Sequence, residues 1–252
     1  MAVHYELDRA IATITLDSPE NRNALSSALV AAVTEHLTTA SADESVRAVV
    51  LTHTGSTFCA GADLKEQSAE SGPAAGTRRM LALLRELIGL SKPVIVSLDG
   101  HVRAGGIGLV GASDIAIAGP ASTFAFTEVR LGLAPAIISL TTLTRMTDRA
   151  AARYYLTGET FDAAAAAAAG LVTCAVDDPA VELATVCDAL RSCSPQGLAA
   201  TKPLSTAAAL AAFESRAAQM RELSQRLFES EEAHEGMTAF LQKRPPRWAA
   251  GQ

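Results

Sequence analysis

No run of apolar residues in this 252-residue chain reaches the ~18–20 that a membrane-spanning helix needs. Its start, Met1-Ala2-Val3-His4-Tyr5-Glu6, lacks the basic-then-apolar pattern of a signal peptide, so the expected location is cytoplasmic. Lysine and arginine gather on no predicted face, and the formal charge is −6. That balance argues against nucleic acid or an anionic membrane surface as a partner. The four cysteines, Cys59, Cys174, Cys187 and Cys193, show no metal-ligand spacing and are expected to be reduced thiols. The five histidines show none either, and only His101, beside a glycine cluster, is a minor candidate for chemistry. No Gly-x-Ser-x-Gly elbow occurs, which weakens a serine-hydrolase reading.

What the chain does have is 49% hydrophobic residues, many of them alanine, enough for one large core with closely packed helices. Tyr5 to Leu16 reads as a hairpin turning at Asp8-Arg9. Ser26 or Ser27 caps a helix with an apolar face of Leu29, Val30, Val33 and Leu37. Val46–Thr52 and Val94–Leu98 are buried strands, and Asp114–Ala118 is another. Met80 to Ile88 fits a helix ending before Pro93. Ser68–Gly76, polar and small, is expected to be a mobile loop. Alternating strands and helices imply α/β layering. Further on, Pro135–Met146, Arg149–Leu156 and Ala163–Ala169 read as helices, the last capped by Asp162 and ended by Gly170. Leu171–Val176 is a short strand, and three or four helices run from Ala180 through Leu241. The change of character near Pro195 suggests a core domain over 1–194 and a helical region over 195–252.

The chain is organised around Arg103-Ala104-Gly105-Gly106-Ile107-Gly108-Leu109-Val110-Gly111. A strand leads into glycines that open a buried helix. Glycines at a helix start leave backbone N–H groups uncovered, and the helix dipole favours negative charge there. Gly106-x-Gly108-x-x-Gly111 has dinucleotide-fingerprint spacing. However, Gly100-His101-Val102-Arg103 separates it from the strand, and the next acids, Asp114 and Glu128, fall at the wrong offsets. Cys59-Ala60-Gly61-Ala62 follows a strand in the same way. Two such turns converging on one oxygen would make an oxyanion hole. Glu128 lies in the apolar run Phe124 to Gly132. It reads either as a proton carrier with a raised pKa or as a partner of Arg130.

Six ordered segments now carry a resemblance. They are Asn21 to Leu25, Phe58 to Lys65, Gly105 to Asp114, Phe124 to Gly132, Gly158-Glu159 with Ala169 to Val172, and Glu235 to Pro245. Over nearly its full length the chain resembles the enoyl-CoA hydratase/isomerase (crotonase) family. The resemblance implies an α/β spiral of ββα units with a helical C-terminal trimerisation region, as a homotrimer or dimer of trimers. It implies an acyl-CoA thioester substrate and no metal or redox cofactor. Ala62 N–H and Gly105 N–H would hold the thioester oxygen. Arg22, Ala24, Ala60, Asp63, Leu64 and Lys65 would lie along coenzyme A. Phe240 and Lys243 would close a pocket, and Glu128 matches the family's second catalytic glutamate.

Gly108 departs from the pattern, because hydratases of the family carry their first catalytic glutamate there. Two carboxylates position a water for hydration, whereas related isomerases manage with one. Ala136 stands where many members have glycine, and Arg103 is an unusual cation that could favour a polar acyl chain. The expected activity is therefore enoyl-CoA double-bond isomerisation or hydration through a thioester enolate. The alternatives are a full hydratase with a substitute carboxylate and a non-catalytic CoA-binding oligomer.

Overall fold

The computed structural model describes residues 2–63, 66 and 72–249. The hairpin is β1 (Val3–Asp8) and β2 (Ile11–Leu16). Its two-residue turn is Arg9-Ala10, one position beyond the expected one. Both residues have positive φ, 43° and 68°, as a tight hairpin turn requires. Ser26 caps α1 (Ser27–Ala42) by accepting from Leu29 N–H at 3.2 Å, and Leu29, Val30, Val33 and Leu37 are buried as their spacing predicts.

Two sheets are built in alternation. The six-stranded sheet has the order β1-β2-β3-β5-β7-β10 and the four-stranded sheet the order β4-β6-β8-β9. The pair β3 (Ala48–His53) and β4 (Thr57–Cys59) puts one strand in each, then leads towards α2 (Gly72–Gly89). The pair β5 (Val94–Leu98) and β6 (His101–Arg103) repeats this before α3 (Gly105–Ala112). The pair β7 (Ile115–Ala118) and β8 (Thr123–Ala125) does so again before a 3-10 turn, Thr127–Leu131. This is a spiral of strand–strand–helix units. Between the layers lies the core, where Phe58, Phe124, Phe126, Leu84 and Val96 are fully buried. Its β-branched strands are buried on both faces, as parallel sheets with helical cover are.

Several expectations shift. The segment expected to be mobile is helical from Gly72 onward, and residues 68–71 lie outside the described residues. The helix expected over 135–146 is regular only as α4 (Ser139–Thr142), with turns on either side. α5 is Asp148–Thr157. After β9 (Phe161–Asp162) comes α6 (Ala163–Ala168), capped by Asp162, with Gly170 at φ 83°. The strand expected over 171–176 shortens to β10 (Cys174–Ala175).

Three α-helices follow: α7 (Pro179–Arg191), the 34-residue α8 (Pro195–Phe228) and α9 (Glu231–Leu241). α8 packs along α2. Its Lys202 ammonium donates to Leu87 O, Lys92 O and Asp114 Oδ2, each at 2.9 Å. Among the described residues no helix is long and apolar enough to cross a membrane.

Candidate active site

In the four-stranded sheet β4, β6 and β8 are parallel neighbours, so their C-terminal ends lie side by side. Three candidate segments leave those ends: Ala60–Asp63 from β4, Ala104–Gly105 from β6, and Phe126–Glu128 from β8. Strands in a sheet sit about 4.8 Å apart, so the Gly105 turn stands between the Ala62 turn and the glutamate.

The first two turns touch. A Cβ on Gly61, where φ is +90°, would stand 2.8 Å from Ala104 Cβ and 3.4 Å from Gly105 N. A Cβ on Gly105 would stand 2.9 Å from Leu25 Cδ1 and 3.7 Å from Gly61 Cα. The close approach therefore depends on glycine at both positions. Ala104 occupies φ 46°, ψ −117°, which a residue bearing a Cβ rarely adopts. Its strain, of the order of 1–3 kcal/mol, is held by the surrounding packing. As the first residue of α3, Gly105 has no intrahelical acceptor for its N–H. Among the described residues neither Gly105 N–H nor Ala62 N–H donates to another group.

A second strip fixes the β4 turn from below. Ala60 N–H donates to Arg22 O at 3.0 Å, and Leu25 N–H donates to Gly61 O at 2.8 Å. Arg22 and Asn23 take positive φ, 58° and 51°. The buried Asn23 side chain donates to Thr54 O and Thr57 O and accepts from Ser18 N–H at 2.7 Å. No local pattern marks Asn23 as a brace, since the two carbonyls it donates to lie more than thirty positions away. Arg22 and Ala24 thus lie on a strip bonded to the Ala60–Asp63 turn, whose Gly61 meets Gly105. Leu64 and Lys65 lie outside the described residues. Phe240 and Lys243 stand exposed at the C-terminal end of α9, and among the described residues no hydrogen bond or ion pair joins them to that strip or turn.

Glu128 is the second residue of the 3-10 turn that follows the fully buried Phe126, whose ring lies 4.4 Å from that of Tyr155. Its Oε2 is sealed from solvent and has no hydrogen-bond partner among the described residues, so Arg130 does not pair with it. Burial pushes the Glu128 pKa up to about 7. Leu133 N–H and Gly132 N–H both hold the Glu128 carbonyl.

Position 108 explains itself sterically. A Cβ there would stand 2.6 Å from Ile138 Cγ2 and 3.0 Å from Met80 Cε. Hydrocarbon fills the space where a side chain would project. Arg103 turns away from the turns: its guanidinium donates to Val102 O, Thr123 O and Thr123 Oγ1 within 2.6–3.0 Å. The expectation that it favours a polar acyl chain loses its support, because those hydrogen bonds are all within the sheet. His101 is likewise occupied, 2.8 Å from Thr123 Oγ1. Cys59 is buried behind the turn, its thiol pushed up to about 12 by desolvation, as a small core residue should be. Among the described residues no cluster of histidine, cysteine and carboxylate side chains is arranged to hold a metal ion.

The comparisons agree with this architecture. The sequence pattern described as enoyl-CoA hydratase/isomerase matches residues 6–251. A 2,3-dehydroadipyl-CoA hydratase of Escherichia coli is 32% identical over 236 residues, covering 92% of each chain. A Mycobacterium tuberculosis protein named "Probable enoyl-CoA hydratase echA8" is 34% identical, with 96% of each chain covered. The crystal structure of an enoyl-CoA hydratase from Mycobacterium avium superposes with a TM-score of 0.92 at 52% identity, over 98% of each chain. The fold is the crotonase-like α/β spiral, and the chain belongs to the enoyl-CoA hydratase/isomerase family of acyl-CoA enzymes.

Proposed function

We propose that this enzyme moves a carbon–carbon double bond within an enoyl-CoA thioester, using Glu128 as its single proton carrier. The carboxylate removes a proton from C2 of a 3-enoyl thioester, and the electron pair passes to the thioester oxygen. Ala62 N–H and Gly105 N–H hold that oxygen as it gains charge, each donor contributing about 3–4 kcal/mol. The proton then returns to C4, which leaves a C2–C3 double bond. A base near neutrality suits this transfer, and Glu128 at about 7 is such a base. Arg22, Ala24, Ala60 and Asp63, with Leu64 and Lys65, would lie along coenzyme A, and Phe240 and Lys243 would close over it. The chemistry asks for no metal or redox cofactor, and the reading includes assembly as a homotrimer or dimer of trimers.

The observation that carries the preference is the hydrocarbon contact of Gly108 with Ile138 and Met80. A second carboxylate to hold an attacking water has no room there. Hydration is the second reading, favoured by the names of the Escherichia coli and Mycobacterium avium relatives. Assaying 3-enoyl-CoA isomerisation and crotonyl-CoA hydration on one preparation decides between them. Isomerisation lost in Glu128→Gln supports the proposal. Efficient hydration that survives Glu128→Gln refutes it, and CoA-thioester binding with no turnover points to a ligand-binding protein.

A further inference from the structure

The C-terminal helix meets the glutamate-bearing turn backbone to backbone. A Cβ on Gly236 of α9 would stand 2.6 Å from both the carbonyl carbon and oxygen of Leu131. In return, a Cβ on Gly132 would stand 2.6 Å from the Glu232 carbonyl carbon and 2.8 Å from Ala233 N. Backbone atoms cannot swing aside as a flexible side chain can, so any atom added at this contact displaces the turn. Gly132 N–H and Leu133 N–H grip the Glu128 carbonyl, which passes such a displacement straight to Glu128. α9 is itself a firm support. Ser230 caps its start, accepting from Ala233 N–H at 3.2 Å. Beyond its end the chain folds back, and Glu235 takes both terminal nitrogens of Arg244, at 2.7 and 3.0 Å.

We infer that α9 is a positioning element for the reaction, and that Gly236, which touches no reacting atom, sets where the Glu128 carboxylate stands. The inference rests on the proposed role of Glu128. It gives the C-terminal segment a part in proton transfer that is distinct from holding coenzyme A.

The test is Gly236→Ala in the full chain, followed with 3-enoyl-CoA substrate. Displacing a catalytic group by a fraction of an ångström to 1 Å lowers kcat by about tenfold to a hundredfold. The pH–rate inflection should also move below 7, since a displaced carboxylate gains water. Affinity for a saturated acyl-CoA should stay within about twofold, because the thioester-holding turns are untouched. His234→Gly is the control. It weakens the same helix on its exposed face, and its kcat and inflection should not move. If Gly236→Ala fails to fold, Ala233→Gly weakens the helix at its fully buried face, beside the same contact, and should lower kcat more than His234→Gly at equal loss of Tm. Unchanged kcat and inflection in these contact variants, with Glu128→Gln inactive, overturns the inference alone. Full turnover in Glu128→Gln overturns the parent reading and the inference with it.

Discussion

Ile138 occupies the space that a side chain at position 108 would need, its Cγ2 lying 2.6 Å from where the Cβ of any other residue would be. The two positions are thirty apart in sequence and behave as one unit. Gly108→Glu should therefore not create a hydratase. Overpacking a full core costs about 1–3 kcal/mol, and a buried unpaired carboxylate adds to it, so Tm should fall and crotonyl-CoA hydration should not rise. Pairing it with Ile138→Gly should recover part of the Tm and let crotonyl-CoA hydration be detected by the loss of absorbance of the conjugated thioester.

The Glu128 carboxyl, pushed up to about 7, fixes the sign of two pH effects. As a base it must be ionised, so kcat/KM for isomerisation should rise with pH and level off above about 7. For stability the direction is the reverse. The folded pKa exceeds the unfolded value, so the favourable contribution is full below about 4.5 and is lost as pH rises through about 7. Glu128→Gln should abolish activity at every pH while raising Tm more at pH 8 than at pH 5. Thermal melts across that range check it.

The buried Lys202 pairs with the half-buried Asp114 and uses all three ammonium protons, while Asp114 Oδ2 also accepts from Val94 N–H at 2.7 Å. Breaking a buried pair by removing one partner costs about 3–5 kcal/mol, since the other charge stays buried. Lys202→Met should show that loss in urea denaturation. The double variant Lys202→Met with Asp114→Asn should recover much of it.

Glu235 holds the C-terminal hook through Arg244 and through Arg247 N–H at 2.9 Å, and the Arg244 guanidinium draws its pKa down to about 2. Lys243, at φ 54°, stands at the bend. Glu235→Gln should free the hook and raise KM for acyl-CoA several-fold, with a smaller loss of kcat than Gly236→Ala. On the proposed place of Lys243 over coenzyme A, the KM for the corresponding acyl-pantetheine should rise less.

How much of this was legible beforehand differs by element. The caps at Ser26 and Asp162, the stop at Gly170 and the buried faces of α1 and α2 follow from local periodicity and hydrogen-bonding chemistry, which the chain carries within a few residues. The breaks in the 135–146 helix and the shortness of β10 were not legible. They arise where Ile138 must seat against α3 and where pairing with β7 extends over only two residues.

The sequence by itself determined the alternation of strands and helices, the two glycine-bearing turns and a solitary glutamate in apolar company, because composition and spacing are local properties. Only the tertiary structure decided that three turns leave neighbouring strands of one small sheet. Only there did Gly108 prove to be filled by Ile138 and Met80, Arg103 to be turned into the sheet, and α9 to brace the Glu128 turn. Each of those depends on atoms far apart in the chain reaching van der Waals contact, and close packing between distant segments has no signature along a single strand of residues.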